Sequence, residues 1–328
     1  MSLRHVIRAQ QFDRPWLESF FGHASAMEAR RRGIADILRG KIMATLFYQP
    51  STRTRLSFET AMYRLGGEVI STENAKEFSS AAKGESLEDT IRVLAGYADA
   101  VVIRHHEIGS ARRAAALDVV PVINAGDGAG QHPTQALLDL YTIRSRLGRI
   151  DGLTIAMVGD LKYGRTVHSL AYLLAKFSVA KIYFVAPGLC AMKDGVKDYL
   201  RRHDVPFEET DDLAGVMRMA DVVYQTRIQK EAFSFEELRD EYEQVRRRFI
   251  ITTALADSMR PDAIIMHPLP RDEQNNEIEP AVDANPRAAY FEQAHKGVPV
   301  RMAILDLVLR EGAPGGKELE REDRDQTA

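Results

Sequence analysis

The chain has 328 residues, 45% of them hydrophobic and 28% charged, and a formal net charge of -3. That length exceeds one typical domain and predicts two, each with its own core. Interspersed charges exclude the broad positive field that nucleic acid or an anionic membrane would need, no apolar run is long enough to span a bilayer, and the single cysteine, Cys190, excludes an intrachain disulfide and a cysteine-cluster metal site.

Met1 to Arg4 open without the apolar core of a signal peptide, so the cytoplasm is the expected location. None of the nine histidines pairs with another at helical ligand spacing, and His105 and His106 would face opposite ways on a strand, which predicts no metal. Residues before about 40 read as helical, with Trp16, Leu17, Phe20 and Phe21 forming one apolar face. The apolar run Ile42 to Tyr48 ends in a buried strand, and Pro50 breaks it. Phe58, Ala61, Met62 and Leu65 then recur at helical spacing, so Ser51 falls at the N-cap.

Unpaired backbone N–H groups at such a start carry the positive end of the helix dipole. Ser51, Thr52, Arg53, Thr54 and Arg55 add five consecutive donor side chains, more than capping requires, and an anion the size of phosphate fits there. The plainer reading makes Ser51 an ordinary cap and pairs Arg55 with Glu59 one turn on.

Gly66-Gly67 ends that helix, and Glu68 to Ser71 form a short strand. Lys76 to Gly84 form a polar loop, and Ser86 and Asp89 stand in capping-box spacing before a helix. Ala100 to Ile103 predict a strand with Arg104 at its C-terminal end, and Val119 to Ala125 another, followed by a glycine-rich turn. Pro133 suits a first helical position, which puts His132 at a helix start and Gln135 one turn in. From about residue 151 the pattern restarts: a strand at Leu153 to Val158, a loop at Gly159 to Gly164, a helix from Thr166, and strands at Ile182 to Val185, Ala220 to Gln225 and Ile264 to Met266. The loop lacks dinucleotide and P-loop spacing. Arg227 to Gln229 and His267 to Arg271 follow two of these strands, and Tyr290 to Leu309 read as a helix. Beyond residue 310 the chain turns to glycine, proline and charge, which predicts a disordered tail over 311–328.

The fold class expected is α/β, two doubly wound parallel-sheet domains with a cleft between them. Residues 1–134 would form the first and 135–289 the second.

The run Phe47-Tyr48-Gln49-Pro50-Ser51-Thr52-Arg53-Thr54-Arg55-Leu56-Ser57-Phe58-Glu59 resembles the carbamoyl-phosphate-binding segment of the aspartate/ornithine carbamoyltransferase family. The similarity continues through His132-Pro133-Thr134-Gln135-Ala136-Leu137-Leu138-Asp139 and His267-Pro268-Leu269-Pro270, from about Ile42 to Leu309. It implies transfer of a carbamoyl group from carbamoyl phosphate to the α-amine of aspartate without a cofactor, early in pyrimidine biosynthesis. By resemblance, Ser51, Thr52, Arg53 and Thr54 hold phosphate together with Arg104, while Ser79 and Lys83 enter the site of a neighbouring subunit. Thr54, Arg104 and His132 polarise the carbonyl, with His132 expected to stay neutral among cations. Gln135 and the carbonyls of Pro268 and Leu269 receive the carbamoyl amide, and Arg165, Arg227 and Gln229 bind the aspartate carboxylates.

A homotrimer with shared sites follows from the same resemblance, and so do room for a separate regulatory chain and a first domain of 1–134 plus 290–310, to which the last helix crosses back. An ornithine-specific member would need a carboxylate rather than Arg227 and carries cysteine where Pro268 stands. A silent paralogue serving as an assembly or sensing subunit would have lost donors, and the donors are present. Two positions depart from many bacterial members, Gln49 where glutamate is usual and Ala232 where arginine is usual, which implies a different or weaker closure contact.

Overall fold

The structure, a computed structural model, describes residues 3–30, 36–75, 84–228, 247–272 and 277–310. The chain divides into two units, Met1–Leu137 with Lys296–Ala328, and Leu138–His295. Ser79, Lys83, Gln229, Ala232 and the 311–328 tail lie outside the described residues.

The first unit holds a parallel sheet of four strands, β1 (Ile42–Phe47), β2 (Glu68–Glu73), β3 (Ala100–His105) and β4 (Val122–Asp127), in the order β2-β1-β3-β4. Helices α1 (Arg14–Ala29), α2 (Thr52–Arg64), α3 (Leu87–Leu94) and α4 (Ser110–Ala116) accompany it. β1, β3 and β4 are almost wholly buried, as parallel strands covered on both faces must be. The edge strand β2 is mostly exposed, and its polar residues suit that place. Ala44, Leu46, Val101, Ile103 and Val122 meet Leu87, Ile91, Ala111 and Ala114 in a core on one face of the sheet. Val6 bridges Ile123 in parallel, so the N-terminal segment extends the sheet beyond β4.

Helix α5 (Pro133–Leu147) leads into the second unit. There β5 (Thr154–Val158), α6 (Arg165–Leu174), β6 (Lys181–Val185), α7 (Asp194–Arg202), β7 (Phe207–Thr210), α8 (Leu213–Met217), β8 (Val222–Gln225), α9 (Thr253–Ser258) and β9 (Ile264–Met266) follow. Their strands form a second all-parallel sheet in the order β7-β6-β5-β8-β9. Its core gathers Ala156, Val158, Val185, Val223 and Ile265 with Leu213, Met217, Phe249 and Tyr290. Helix α10 (Tyr290–Leu309) returns the chain to the first unit at Lys296. Among the described residues no helix is long and apolar enough to cross a membrane.

Both sheets therefore have the parallel α/β character expected, and local signals explain most of their elements. Ser86 caps α3 by accepting the Asp89 N–H at 3.1 Å, and Asp13 caps α1 by accepting that of Trp16 at 2.8 Å. The strand expected from Val119 begins only at Val122, because Pro121 has no N–H to give a ladder. β7, Phe-Glu-Glu-Thr, was not expected, since a half-exposed acidic edge strand carries no apolar run. His105 ends β3 while His106 lies beyond it, and their rings stack at 4.3 Å instead of facing apart.

Candidate active site

In each sheet the chain winds outward in both directions from its first strand. The order reverses between β1 and β3 in the first unit and between β5 and β8 in the second. Ligands of open α/β sheets bind at such switch points, outside the carboxyl ends of the strands, where neighbouring loops splay apart. Of the expected site residues that the structure describes, Arg104 lies at the C-terminal end of β3 and the others follow the C-terminal ends of β1, β4, β5, β8 and β9.

In the first unit, Phe47 at the end of β1 stands in register with Arg104, and the Tyr48 N–H donates to the Arg104 carbonyl at 2.8 Å. Thr52, Arg53 and Thr54 make the first turn of α2, where the amide N–H groups have no carbonyl one turn earlier to bond. Ser51 occupies the N-cap position with φ -160° and ψ 82°, but its side chain makes no capping bond. Its hydroxyl is therefore not committed to its own helix. Thr54 is buried, whereas Arg53 is exposed, and the protein around the Arg53 guanidinium still removes enough water to lower its pKa from the ordinary value.

Arg55 behaves differently. Its guanidinium reaches Glu59 at 3.2 Å, Glu73 at 2.8 Å and Ser71 at 3.2 Å, and Glu59 also accepts from Thr45 and Ser71. The plainer reading holds for this arginine, which ties α2 to the sheet.

Arg104 Nη1 donates to the Ala125 carbonyl on β4 at 3.3 Å, which carries the guanidinium over the next strand end. At the end of β4, the Asp127 carboxylate accepts the N–H groups of Gly109 at 2.8 Å and Gln131 at 2.6 Å. Gly128, at φ +49°, lies so near the His106 carbonyl that a β-carbon would come within 2.5 Å of it. The turn so fixed delivers His132 to the start of α5, buried, with its carbonyl accepting the Gln135 N–H at 3.0 Å. Its Nδ1 lies 3.5 Å from the Thr134 hydroxyl. Next to Arg104, burial holds His105 down to a pKa of about 4, so no second cation stands there at neutral pH.

In the second unit, Arg165 is the first residue of α6, after the loop that leaves β5, and Arg227 follows β8, the strand beside β5. Buried Asp160 shapes the loop by accepting the N–H groups of Lys162 at 3.1 Å and Tyr163 at 2.9 Å. The Thr226 N–H and hydroxyl both donate to the Val158 carbonyl, at 2.8 and 2.9 Å, and this fastens the Arg227 strand end to β5. Pro268 and Leu269 follow β9, the next strand, in a turn with Leu269 at φ +52° and a cis Leu269-Pro270 bond. His267 braces it: Nδ1 accepts the Leu269 N–H at 2.8 Å, so the proton is on Nε2, which lies 3.0 Å from Glu277.

The described donors thus form two groups. Ser51 to Thr54 follow β1 and Arg104 ends β3, the two strands that flank the switch point of the first sheet, and His132 and Gln135 follow the neighbouring strand β4. Arg165 and Arg227 follow β5 and β8, which flank the switch point of the second sheet, and Pro268 and Leu269 follow the neighbouring strand β9. One group offers an N-terminal helix turn with hydroxyls and guanidiniums, suited to a phosphate, and the other offers two guanidiniums, suited to a dicarboxylate.

Residues 4–145 match the family model for the carbamoyl-phosphate-binding domain of aspartate/ornithine carbamoyltransferases, and residues 151–308 match that for the Asp/Orn-binding domain. The chain belongs to the aspartate/ornithine carbamoyltransferase family. It is 58% identical over 309 residues to the chloroplastic aspartate carbamoyltransferase of Arabidopsis thaliana, covering 94% of this chain and 78% of that one. The catalytic subunit of M. jannaschii aspartate transcarbamoylase superposes with a TM-score of 0.86 at 48% identity, over 94% of this chain and 99% of that one. Aspartate transcarbamoylase from Trypanosoma cruzi, in a complex with carbamoyl phosphate and aspartate, does so with a TM-score of 0.86 at 42% identity, over 93% and 95%.

Proposed function

We propose that this chain is an aspartate carbamoyltransferase, moving the carbamoyl group of carbamoyl phosphate to the α-amine of L-aspartate. One observation carries the reading: a helix start bearing hydroxyl and guanidinium donors at one sheet's switch point, and two arginines, Arg165 and Arg227, at the other's. The family membership and the substrates in the Trypanosoma cruzi complex support it.

The amine attacks the carbamoyl carbon, a C–N bond forms, and the bond from that carbon to the phosphate oxygen breaks. The amine proton leaves with phosphate, and the products are N-carbamoyl-L-aspartate and phosphate, an early step of pyrimidine synthesis. The α2 amides, Ser51, Thr52, Arg53 and Thr54 hold the phosphate together with Arg104. Thr54, Arg104 and His132 donate to the carbonyl oxygen as it gains charge, the kind of fixed electrostatic stabilisation that dominates such reactions. Gln135 and the Pro268 and Leu269 carbonyls orient the carbamoyl amide, and Arg165 and Arg227 orient aspartate. Gln229 joins the aspartate group in this reading.

Shared sites in a homotrimer belong to the same reading, with Ser79 and Lys83 serving a neighbour's phosphate. The exposed Leu56, Tyr63 and Ile70, on α2 and the edge strand β2, support a covered face there. Binding of a separate regulatory chain and a cytoplasmic location complete the proposal.

The deciding experiment is an assay of purified protein for N-carbamoyl-aspartate, with ornithine as the control amine. Product from aspartate alone is the expected result. Product from ornithine, or from neither, would overturn it. Mixing inactive Arg53→Ala and Lys83→Ala proteins under subunit exchange should restore part of the activity, and mixtures that exchange yet stay inactive would remove the shared site.

A further inference from the structure

Asp139 has no part in the chemistry above, yet it is fully buried on α5, one turn beyond Gln135 and on the same side of the helix. Its Oδ2 accepts the Tyr224 hydroxyl at 2.8 Å, and its Oδ1 accepts Gln293 Nε2 at 2.6 Å. Gln293 in turn accepts the His267 backbone N–H on Oε1 at 2.8 Å. A backbone N–H only donates, so the amide oxygen must face His267 and the amide nitrogen must face Asp139. The direction of every link is fixed. Asp139, Tyr224, Gln293 and His267 are each no more than 2% exposed.

The two arms of this relay end at substrate-binding loops. Tyr224 lies on β8, in register with Met266 on β9, and the chain leaves β8 toward Arg227. His267 begins the turn that carries Pro268 and Leu269, and its ring holds the Leu269 N–H. Both arms meet on one carboxylate. A shift of either loop would break a buried hydrogen bond to a charged acceptor, which is more expensive than losing a neutral one.

We propose that Asp139 is a positioning residue for the substrate-binding groups of the second unit, setting where Arg227 is presented to aspartate and where the Pro268 and Leu269 carbonyls are presented to the carbamoyl amide. This rests on the function proposed above. The carboxylate touches no substrate; it acts through Tyr224 and Gln293.

The relay can be reversed without changing its net charge. Gln293→Glu keeps an acceptor for the His267 N–H but turns a second carboxylate oxygen toward Asp139. Adding Asp139→Asn then restores a donor: the amide introduced on α5 would give a hydrogen to the carboxylate introduced on α10 and still accept from Tyr224. Gln293→Glu should therefore raise the aspartate KM or lower kcat by about tenfold, and the double variant should return to within about threefold of the parent. Carbamoyl phosphate affinity should weaken in Gln293→Glu, recover in the double variant, and change less than about twofold in Tyr224→Phe, whose arm leads to Arg227 alone, a split that general destabilisation does not produce.

Tyr224→Phe deletes only the hydroxyl and should weaken aspartate kinetics severalfold. It keeps the test open if Gln293→Glu does not fold. Unchanged aspartate kinetics in Tyr224→Phe and in any folded Gln293→Glu, or a double variant no better than the product of its singles, would overturn the proposal. A parent protein that makes no N-carbamoyl-aspartate would instead overturn the proposed function.

Discussion

Gly159 stands against Thr226 so closely that a β-carbon on the glycine would lie 2.4 Å from the threonine carbonyl oxygen and 2.7 Å from its hydroxyl oxygen. Its φ of +106° is also one that side chains rarely tolerate. The two loops bearing Arg165 and Arg227 can run side by side only because this position has no side chain. Gly159→Ala should cost about 2–4 kcal/mol in chemical denaturation and weaken aspartate binding more than carbamoyl phosphate binding. A variant as stable as the parent would show that the loops can part at little cost.

Arg53 and Arg55, two residues apart, should respond oppositely to removal. Arg53→Ala should lower kcat by about a hundredfold or more, as loss of a transition-state cation does, with little change in melting temperature. Arg55→Ala breaks partly exposed pairs with Glu59 and Glu73, so it should cost about 1 kcal/mol of stability and far less activity. Steady-state kinetics and thermal melts of both proteins check the contrast.

These two arginines also mark how far the sequence could be read. The helix start after Pro50 was legible because a breaker, a cap position and an apolar period coincide there, and the i, i+4 pair with Glu59 is the local pattern that sets Arg55 apart from Arg53. The rest of that separation depends on Glu73 and Ser71, which arrive from β2. Ser51 holds the N-cap position that the spacing predicts but makes no capping bond, since that bond depends on a rotamer that spacing leaves open. The relay through Asp139 was hidden for a related reason. Tyr224 and Gln293 are common residue types distant in the chain, and only the fold brings their polar atoms together. Strand ends were easier to find, because buried parallel strands are continuous apolar runs, and acidic β7 escaped for want of one.

His132→Ala should reduce kcat by about a hundredfold while carbamoyl phosphate binding persists, the size of effect expected for one lost oxyanion donor. A kcat equal to that of the parent would take His132 out of the mechanism. Calorimetric titration with carbamoyl phosphate supplies the second half of the test.

Arg227→Lys should raise the aspartate KM by about tenfold or more and change carbamoyl phosphate affinity little, because an ammonium cannot replace a two-pronged guanidinium. Equal losses for both substrates would make Arg227 structural. Initial-rate measurements with each substrate varied in turn distinguish the outcomes.

His168, on α6 just after Arg165, sets a pH dependence. Burial lowers its pKa from 6.5 to about 4, although Nε2 donates to the Leu161 carbonyl at 2.7 Å. Between those two pH values the unfolded chain binds a proton that the folded one refuses, so stability rises with pH. The contribution is complete above about pH 6.5 and falls away toward pH 4, by up to about 3 kcal/mol. His168→Gln keeps a donor for Leu161 and should flatten that slope in urea titrations at pH 7 and 4.5.

The first unit is made from both ends of the described chain. Leu3 donates its N–H to the Leu307 carbonyl at 3.2 Å, Lys296 pairs with Glu28 at 2.8 Å, His23 with Asp306 at 2.8 Å, and the Arg301 guanidinium lies 5.0 Å from the Phe58 ring centroid. On the ribosome, residues 3–137 emerge long before the helix that completes their core, whereas residues 138–295 form a continuous unit that can close as soon as it is free of the exit tunnel. The second unit is thus placed to mature first. The first unit must wait until α10 has been made.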